Sequence, residues 1–308
     1  MIQGLHHVTA IARDPQTNLS FYRDVLGMRF IKKTVNFDDP SVYHFYFADA
    51  NASPGCVLTF FPWPNAVKGV LGAGQVATLA FAVRTDSLDF WKARLADHGI
   101  EATAIADRFG QPGLGFDDPE GLPLELLGTN ENTGLTGRAT DAIIQEQAIQ
   151  CLAPPTLLTQ HRAPTVRFLE ETVGAKVSAE QGQRTRLSFD VSGPRNSIDV
   201  VEDPQASVGR QGYGSVHHVA FAIEDDATQQ TLRAHIAGAG HTVTPMRDRQ
   251  YFHSIYFPEP SGVLCEVATN GPGFAIDEAP EALGTKLMLP AFLENRRDEI
   301  EAILPPVQ

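Results

Sequence analysis

Apolar residues run along this chain in short alternating stretches broken at Gly, Pro or Asp. Four times such a stretch is followed by a single segment with helical spacing. The strand-like openings are LHHVTAIA, VATLAFAV, EQAIQCLA and VHHVAFAI. Behind the first, Asp14-Pro15 leads into PQTNLSFYRDVL and Gly27 follows, which is a capping Asp, a Pro in the first turn and a Gly past the end. The same punctuation predicts helices from Asp86 to Gly99, through APTVRFLEETV to Gly174, and from Asp225 to Gly240. Each predicted helix is followed by two or three further strand-like runs, such as YHFYFAD and CVLTFF in the first copy and HSIYF and VLCEVA in the fourth.

The repeating unit is therefore β-α-β-β-β. A single unit leaves one apolar sheet face uncovered, so units must pair. The expected fold is α+β: four βαβββ modules forming two cupped mixed sheets with helices outside. The polar, aperiodic stretch TNENTGLTGRATDA separates the second copy from the third and reads as a connector. The expected division is a first pair of modules over 1–130, a linker at 131–142, a second pair over 143–272 and a C-terminal extension over 273–308. In that extension AFLENRRDEIEAIL has helical spacing, stops at Pro305-Pro306, and is expected to cover an exposed edge or surface.

Adjacent side chains on a strand point to opposite faces, so one His of each HH pair faces the cup. Aligning the four opening strands sets His7 against Thr78, roughly Gln147, and His218. Aligning the closing strands sets Thr59 against Glu125, roughly Val201, and Glu266. Pairing the first module with the second, or the third with the fourth, collects too few ligands in either cup. Pairing the first with the fourth unites His7, His218 and Glu266, leaves Thr59 at the remaining corner, and nearly empties the other cup. Two imidazoles and one carboxylate leave coordination positions open, as in non-haem Fe(II) oxygenases, whereas a structural zinc is normally closed by four protein ligands.

The remaining bulk properties narrow the class. The chain has 308 residues, 24 Lys and Arg against 37 Asp and Glu, and a formal charge of −13. No basic patch interleaved with aromatics suggests nucleic acid, no apolar run is long enough to span a bilayer, and no export signal is visible. The reading is a cytoplasmic protein with no nucleic-acid or membrane partner. Three widely spaced cysteines, Cys56, Cys151 and Cys265, read as small core residues of a reducing compartment. A homo-oligomer formed through a cup edge is compatible with the sequence.

The module repeat resembles the vicinal oxygen chelate superfamily. The run LHHVTAIARDPQTNLSFYRDVLGMRFIKKTVNFDDPSVYHFYFAD, together with PGCVLTFFPW, the FGQ of DRFGQPGLGF, GSVHHVAFAI and GVLCEVAT, resembles its ring-cleaving hydroquinone dioxygenases. That resemblance implies Fe(II) on His7, His218 and Glu266, with Mn(II) as the other candidate, no organic cofactor, and a small aromatic substrate with O2. It implies Arg249 and Tyr256 near the substrate. The third module opens with EQAIQCLA, where relatives tend to carry a His; that position lies outside the proposed site. Thr9 shares the strand face of His7, and His6 and His217 come near the site where the strands twist.

Several segments have plainer readings. FFPWP is expected to be core ahead of an entry wall, and both Asp-Asp-Pro sequences, at 38–40 and 117–119, are expected to be turns. Glu125 reads as a vestigial or solvated carboxylate. His44, His98, His161, His235 and His241 read as surface or loop residues, while His253 is open between site and surface. Two other functions fit the same fold: a glyoxalase I-like isomerase, which the missing fourth ligand disfavours, and a non-catalytic small-molecule-sequestering protein, which has no need of an open metal site.

Overall fold

The structure, a computed structural model, describes every residue except Asp107 and Asn132. The first module contains β1 (Leu5–Ala12), α1 (Pro15–Ser20), β2 (Arg29–Val35), β3 (Tyr43–Ala48) and β4 (Val57–Pro62). The second contains β5 (Gln75–Arg84), α2 (Leu88–Asp97), β6 (Thr103–Ala104), β7 (Gly113–Asp117) and β8 (Pro123–Thr129). The third contains β9 (Cys151–Thr159), α3 (Arg162–Phe168), β10 (Lys176–Gln181), β11 (Arg184–Ser188) and β12 (Ser197–Glu202). The fourth contains β13 (Ser215–Ile223), α4 (Asp226–Gly238), β14 (Arg247–Asp248), β15 (Phe252–Pro258) and β16 (Leu264–Pro272). A final helix, α5, spans Arg297–Ile303.

The strands form two mixed eight-stranded sheets, in the orders β14-β15-β16-β13-β1-β4-β3-β2 and β10-β11-β12-β9-β5-β8-β7-β6. The first sheet joins modules one and four through the antiparallel pair β1/β13, and the second joins modules two and three through β5/β9. In each module the opening strand runs parallel to the closing strand, so its inner face looks toward the same cup. The pairing inferred from ligand counting is the one observed.

The capping Asp is found at two of the four helices, α1 and α4; α3 follows His161 without a side-chain cap. Asp14 Oδ1 accepts from Thr17 N at 2.6 Å and Asp225 Oδ1 from Thr228 N at 2.8 Å. Asp86 instead lies within a 3₁₀ turn and its carboxylate is held by Arg84, so α2 starts without a side-chain cap. Gly174 stands at φ 87° after α3, a conformation that a residue with a Cβ adopts at a cost. After α1 and α3 the chain widens into one π-helical turn, at Phe21–Val25 and Leu169–Val173.

The third module corrects the alignment. Its opening strand is CLAPPTLLT, not EQAIQCLA, and within it Thr156 sits opposite Thr78 and beside Asp199. In the fourth module Ala220, two residues past His218, pairs with Glu266. By the same register the third-module counterparts of His218 and Glu266 are Pro154 and Asp199, not Gln147 and Val201. Gln147 precedes the strand, and its carbonyl accepts from Trp91 Nε1 at 2.8 Å. The signal that misled is apolar spacing: Ala148 and Ile149 are buried like strand residues but lie ahead of β9, outside any strand.

Apolar residues from both sheets and from the helices form one large buried cluster that includes Leu5, Val8, Phe81, Trp91, Phe221 and Val267. The three cysteines are free and buried. The C-terminal segment lies along β2, with Met288 N donating to Lys33 O at 2.9 Å, and so covers that sheet edge. It is fixed by Lys32, a fully buried lysine whose Nζ donates to Asp277 Oδ1 at 2.6 Å and Glu278 Oε2 at 2.5 Å. Among the described residues no helix is long and apolar enough to cross a membrane.

Candidate metal centre

Residues on β1, β13 and β16 converge inside the first cup. The Nε2 atoms of His7 and His218 are 3.2 Å apart, and Glu266 Oε2 lies 2.8 Å from His218 Nε2 and 3.4 Å from His7 Nε2. Three potential ligand atoms, one from each residue, thus lie within 4.8 Å of one another. All three residues are buried. Glu266 Oε2 has no hydrogen-bond partner despite these close nitrogens, while its other oxygen accepts from Ser254 Oγ. Buried lone pairs facing a common point without an aligned proton are what a cation would satisfy, so this donor set fits a divalent metal.

The partners behind the ligands support the same fit. His6 Nδ1 lies 2.8 Å from His7 Nδ1, and His217 Nδ1 lies 2.7 Å from His218 Nδ1. With each ligand ring donating through Nδ1, its Nε2 is left as a bare lone pair aimed at the centre. Burial, and then the neighbouring His7, holds His6 down to about 3; burial and then His218 do the same to His217. Burial also lowers His218. For Glu266 burial favours the neutral acid, but His7 and His218 outweigh it and hold the carboxyl well below its usual range. Neutral imidazoles and an ionised carboxylate are the forms that bind metal.

The centre opens into a cavity of about 270 Å³. Thr9, His217, Arg249 and Tyr256 line it, whereas His6 faces the opposite side of the sheet, in a separate pocket with Tyr251 and Phe274. The alternation of β4 and the turn beyond it divides FFPWP: Phe60 is core, while Phe61 and Trp63 line the cavity. The expectation that this stretch is core therefore holds for Phe60 and Pro62, and not for Phe61 and Trp63. Arg249 Nε donates to Tyr256 Oη at 3.2 Å, and its Nη2 to Asp38 Oδ2 at 3.0 Å. Asp38 is thus more than a turn residue, because it also lines the cavity and pairs across the two modules. Asp118 behaves as a turn residue, accepting from the backbone N–H groups of Glu120 and Leu122.

His44 is corrected from surface to site. It stands on β3, lines the cavity, and reaches Thr59 Oγ1 at 2.9 Å through Nε2 and the Tyr46 hydroxyl at 2.9 Å through Nδ1. Burial, ahead of the neighbouring histidines, holds it well below the normal imidazole range, so it stays neutral. The alternation YHFYF would have placed His44 and Tyr46 on one face, the face of β3 that looks into the cup. Thr59, at the fourth corner, bonds to Thr9 Oγ1 at 2.8 Å and to His44, so its hydroxyl is already engaged. His253 lies outside the cup and pairs with Asp226 at 2.7 Å.

The second cup is not nearly empty, as ligand counting suggested. Arg108, only 2 % exposed, donates to Glu125, to Asp199 Oδ2 at 2.7 Å and to Pro154 O at 2.8 Å. Arg184 and Arg186 complete the shell around Asp199. Glu125 is therefore ion-paired and neither solvated nor idle. A signal was present: DR recurs in DRFGQ and DRQYF, and the residues after Arg108 and Arg249, Phe109 and Gln250, both adopt positive φ. Where the first cup gathers ligands for a cation, the second holds a guanidinium between its two carboxylates.

Comparison with known proteins agrees with this architecture. The family model described as "Glyoxalase/Bleomycin resistance protein/Dioxygenase superfamily" matches residues 4–126 and 152–267. Over 99 % of this chain and 96 % of the relative, the sequence is 42 % identical to a Bacillus subtilis (strain 168) protein named "Putative ring-cleaving dioxygenase MhqO". It is 30 % identical, over 97 % of this chain and 95 % of the relative, to the chlorohydroquinone/hydroquinone 1,2-dioxygenase of Sphingobium indicum. A crystal structure described as a "putative dioxygenase" from Bacillus subtilis subsp. subtilis str. 168 superposes with a TM-score of 0.94 at 40 % identity, covering 100 % of this chain and 98 % of that one. Glyoxalase I from Zea mays, at 14 % identity and a TM-score of 0.65 over 87 % and 92 % of the two chains, shares the fold. With an eight-stranded cup built from its first and fourth modules and this match over most of its length, the chain belongs to the glyoxalase/bleomycin resistance protein/dioxygenase superfamily.

Proposed function

We propose that this protein is an Fe(II)-dependent dioxygenase that opens the ring of a hydroquinone-type or related dihydroxybenzene with O2, with His7, His218 and Glu266 as the metal ligands. The observation that carries the reading is the three-atom cluster with no fourth protein ligand among the described residues, opening into a cavity walled in part by Phe61 and Trp63. The names of the ring-cleaving relatives point to the same chemistry.

Bound at these residues, iron(II) with open positions supplies the activation of dioxygen and of a phenolic oxygen that ring cleavage requires. The protein supplies position and charge. Phe61 and Trp63 offer apolar surface to an aromatic ring and exclude water from it. Burial opposes the charge of Arg249, but Tyr256 and Asp38 outweigh it and keep the guanidinium protonated, ready to stabilise negative charge on a substrate oxygen. Burial, with Glu266 next, raises Tyr256, which therefore remains a phenol able to donate or return a proton. His217, held neutral at the cavity wall, and Thr9 complete the set of groups that meet the substrate, while His6 orients His7 from behind.

The test is oxygen uptake by protein loaded anaerobically with Fe(II) or Mn(II), on addition of hydroquinone, 2-methylhydroquinone or catechol. Uptake with a product that keeps every ring carbon and gains two oxygen atoms, abolished by His218→Ala, supports the reading. Metal bound with no uptake on any of the three would turn it toward an isomerase or a sequestering protein.

A further inference from the structure

The turn between β2 and β3 is tied to both flanks of the ligand-bearing strands. In the first sheet β4 borders β1 on one side, and β15 borders β16 on the other. Phe61 and Trp63 stand at the end of β4, their ring centroids 5.2 Å apart, whereas Arg249 precedes β15 and Tyr256 lies on it. All four line the metal cavity, which therefore has an aromatic side from the first module and a side with a guanidinium and a phenol from the fourth.

Asp38 and Asp39, neighbours in that turn, each hold one side. Asp38 Oδ2 accepts from Arg249 Nη2 at 3.0 Å, and Asp39 Oδ2 accepts from Trp63 Nε1 at 3.4 Å. The turn is itself braced: Asn36 Oδ1 accepts from the N–H groups of Asp38 and Asp39 at 2.9 and 3.3 Å, and Asn36 N donates to Val42 O at 2.8 Å. A bond from the Ser41 hydroxyl, with that from Trp63, outweighs burial and holds the Asp39 carboxyl below its usual range, so it stays an acceptor. An indole has a single N–H to place, so this bond selects how the Trp63 ring is turned.

We propose that Trp63 is a specificity-determining residue, positioned by Asp39, which fixes the orientation of the bound ring: an apolar ring substituent lies against Trp63 and Phe61, away from Arg249. Burying a methyl group or a halogen on aromatic surface is favourable. Placing it beside the guanidinium would take water from a charge and return no hydrogen bond. The substrate class narrows to hydroquinones with one apolar substituent, held in one orientation. The inference rests on the reading that the cup holds a dihydroxybenzene.

The orientation can be read without turnover. The probe is 2-(trifluoromethyl)hydroquinone, added under nitrogen to the full chain loaded with Zn(II), a diamagnetic stand-in, and followed by fluorine NMR. Wild type is expected to show one bound resonance with a fluorine–proton Overhauser effect to the Trp63 indole, assigned by its loss in Trp63→Phe. Asp39→Ala is expected to weaken that effect and add a second bound resonance. Ser41→Ala, which removes the other side-chain donor to Asp39 and leaves the Trp63 bond, is expected to match wild type. Two bound resonances in wild type, an Overhauser effect to Tyr256 in place of Trp63, no bound resonance, or a wild-type spectrum in Asp39→Ala overturns the inference. The same change in Ser41→Ala as in Asp39→Ala would assign it to the turn as a whole and also overturn the role of Asp39. One orientation at Trp63 with no oxygen uptake by the iron-loaded protein would count against the dioxygenase reading alone, and oxygen uptake with two orientations against this inference alone.

Discussion

His7 and His218 bring their Nε2 atoms to 3.2 Å across a separation of 211 residues, and each ring is tethered from behind by the histidine that precedes it in sequence. Tethers of this kind typically change metal affinity by about 10–100-fold. His6→Ala and His217→Ala are therefore expected to weaken metal binding by that order while leaving one site per chain. Glu266→Gln, which removes the carboxylate of the three-residue cluster, is expected to abolish stoichiometric binding. Competition with a chelator of known affinity measures both; wild-type affinity in His6→Ala and His217→Ala would show that the tethers do not orient the ligands.

Arg108 is the pivot of the second cup, joined to Glu125 and Asp199 in a nearly solvent-free setting. Replacing it by Met leaves Glu125 without its guanidinium, while Asp199 keeps Arg184 and Arg186, and breaking a buried ion pair from one side costs about 3–5 kcal/mol. Arg108→Met should lower the urea midpoint accordingly, with metal content unchanged because the metal cup belongs to the other sheet. Loss of metal alongside unaltered stability would contradict this separation of the two cups.

The buried histidines make the metal-free protein sensitive to acid. His6 and His217 titrate at about 3 in the folded chain, and His44 and His218 are also lowered, whereas an unfolded imidazole titrates near 6.5. Above the unfolded value neither state binds the proton and nothing is lost. Below it the unfolded chain takes up protons that the folded chain cannot, so stability falls with pH from about 6.5 toward 3, at about 1.4 kcal/mol per unit for each such histidine. Urea unfolding of chelator-treated protein at pH 7.5, 6 and 5 measures the slope; a flat profile would mean that these rings accept protons in place.

Lys32 ties the C-terminal segment to β2 through Asp277 and Glu278, with its ammonium also 4.9 Å from the Tyr251 ring. Lys32→Met should release that segment, and residues 285–308 should become the first site of limited proteolysis. Adding Glu278→Gln, which removes one of the stranded charges, should recover part of the protection. An unchanged digestion pattern in Lys32→Met would show that the backbone bridge to Lys33 suffices.

Sequence alone determined the repeat, the cup architecture and the candidate ligands, because their signals are local. Helix punctuation by Asp and Gly, strand alternation, and the ligand types His7, His218 and Glu266 at repeat-equivalent positions are legible wherever the residues stand. Even the pairing of first with fourth module followed, since only that pairing gathers a ligand set. Register in the third module was not legible, because apolar spacing in EQAIQCLA mimics a strand, and only the ladders of β9 with β5 and with β12 place Thr156 and Asp199. The roles of His44, Arg108 and Asp38 also waited for the tertiary structure. A polar residue's function depends on which distant partner it meets, and those partners, Thr59, Asp199 and Arg249, are set by how the modules close on one another.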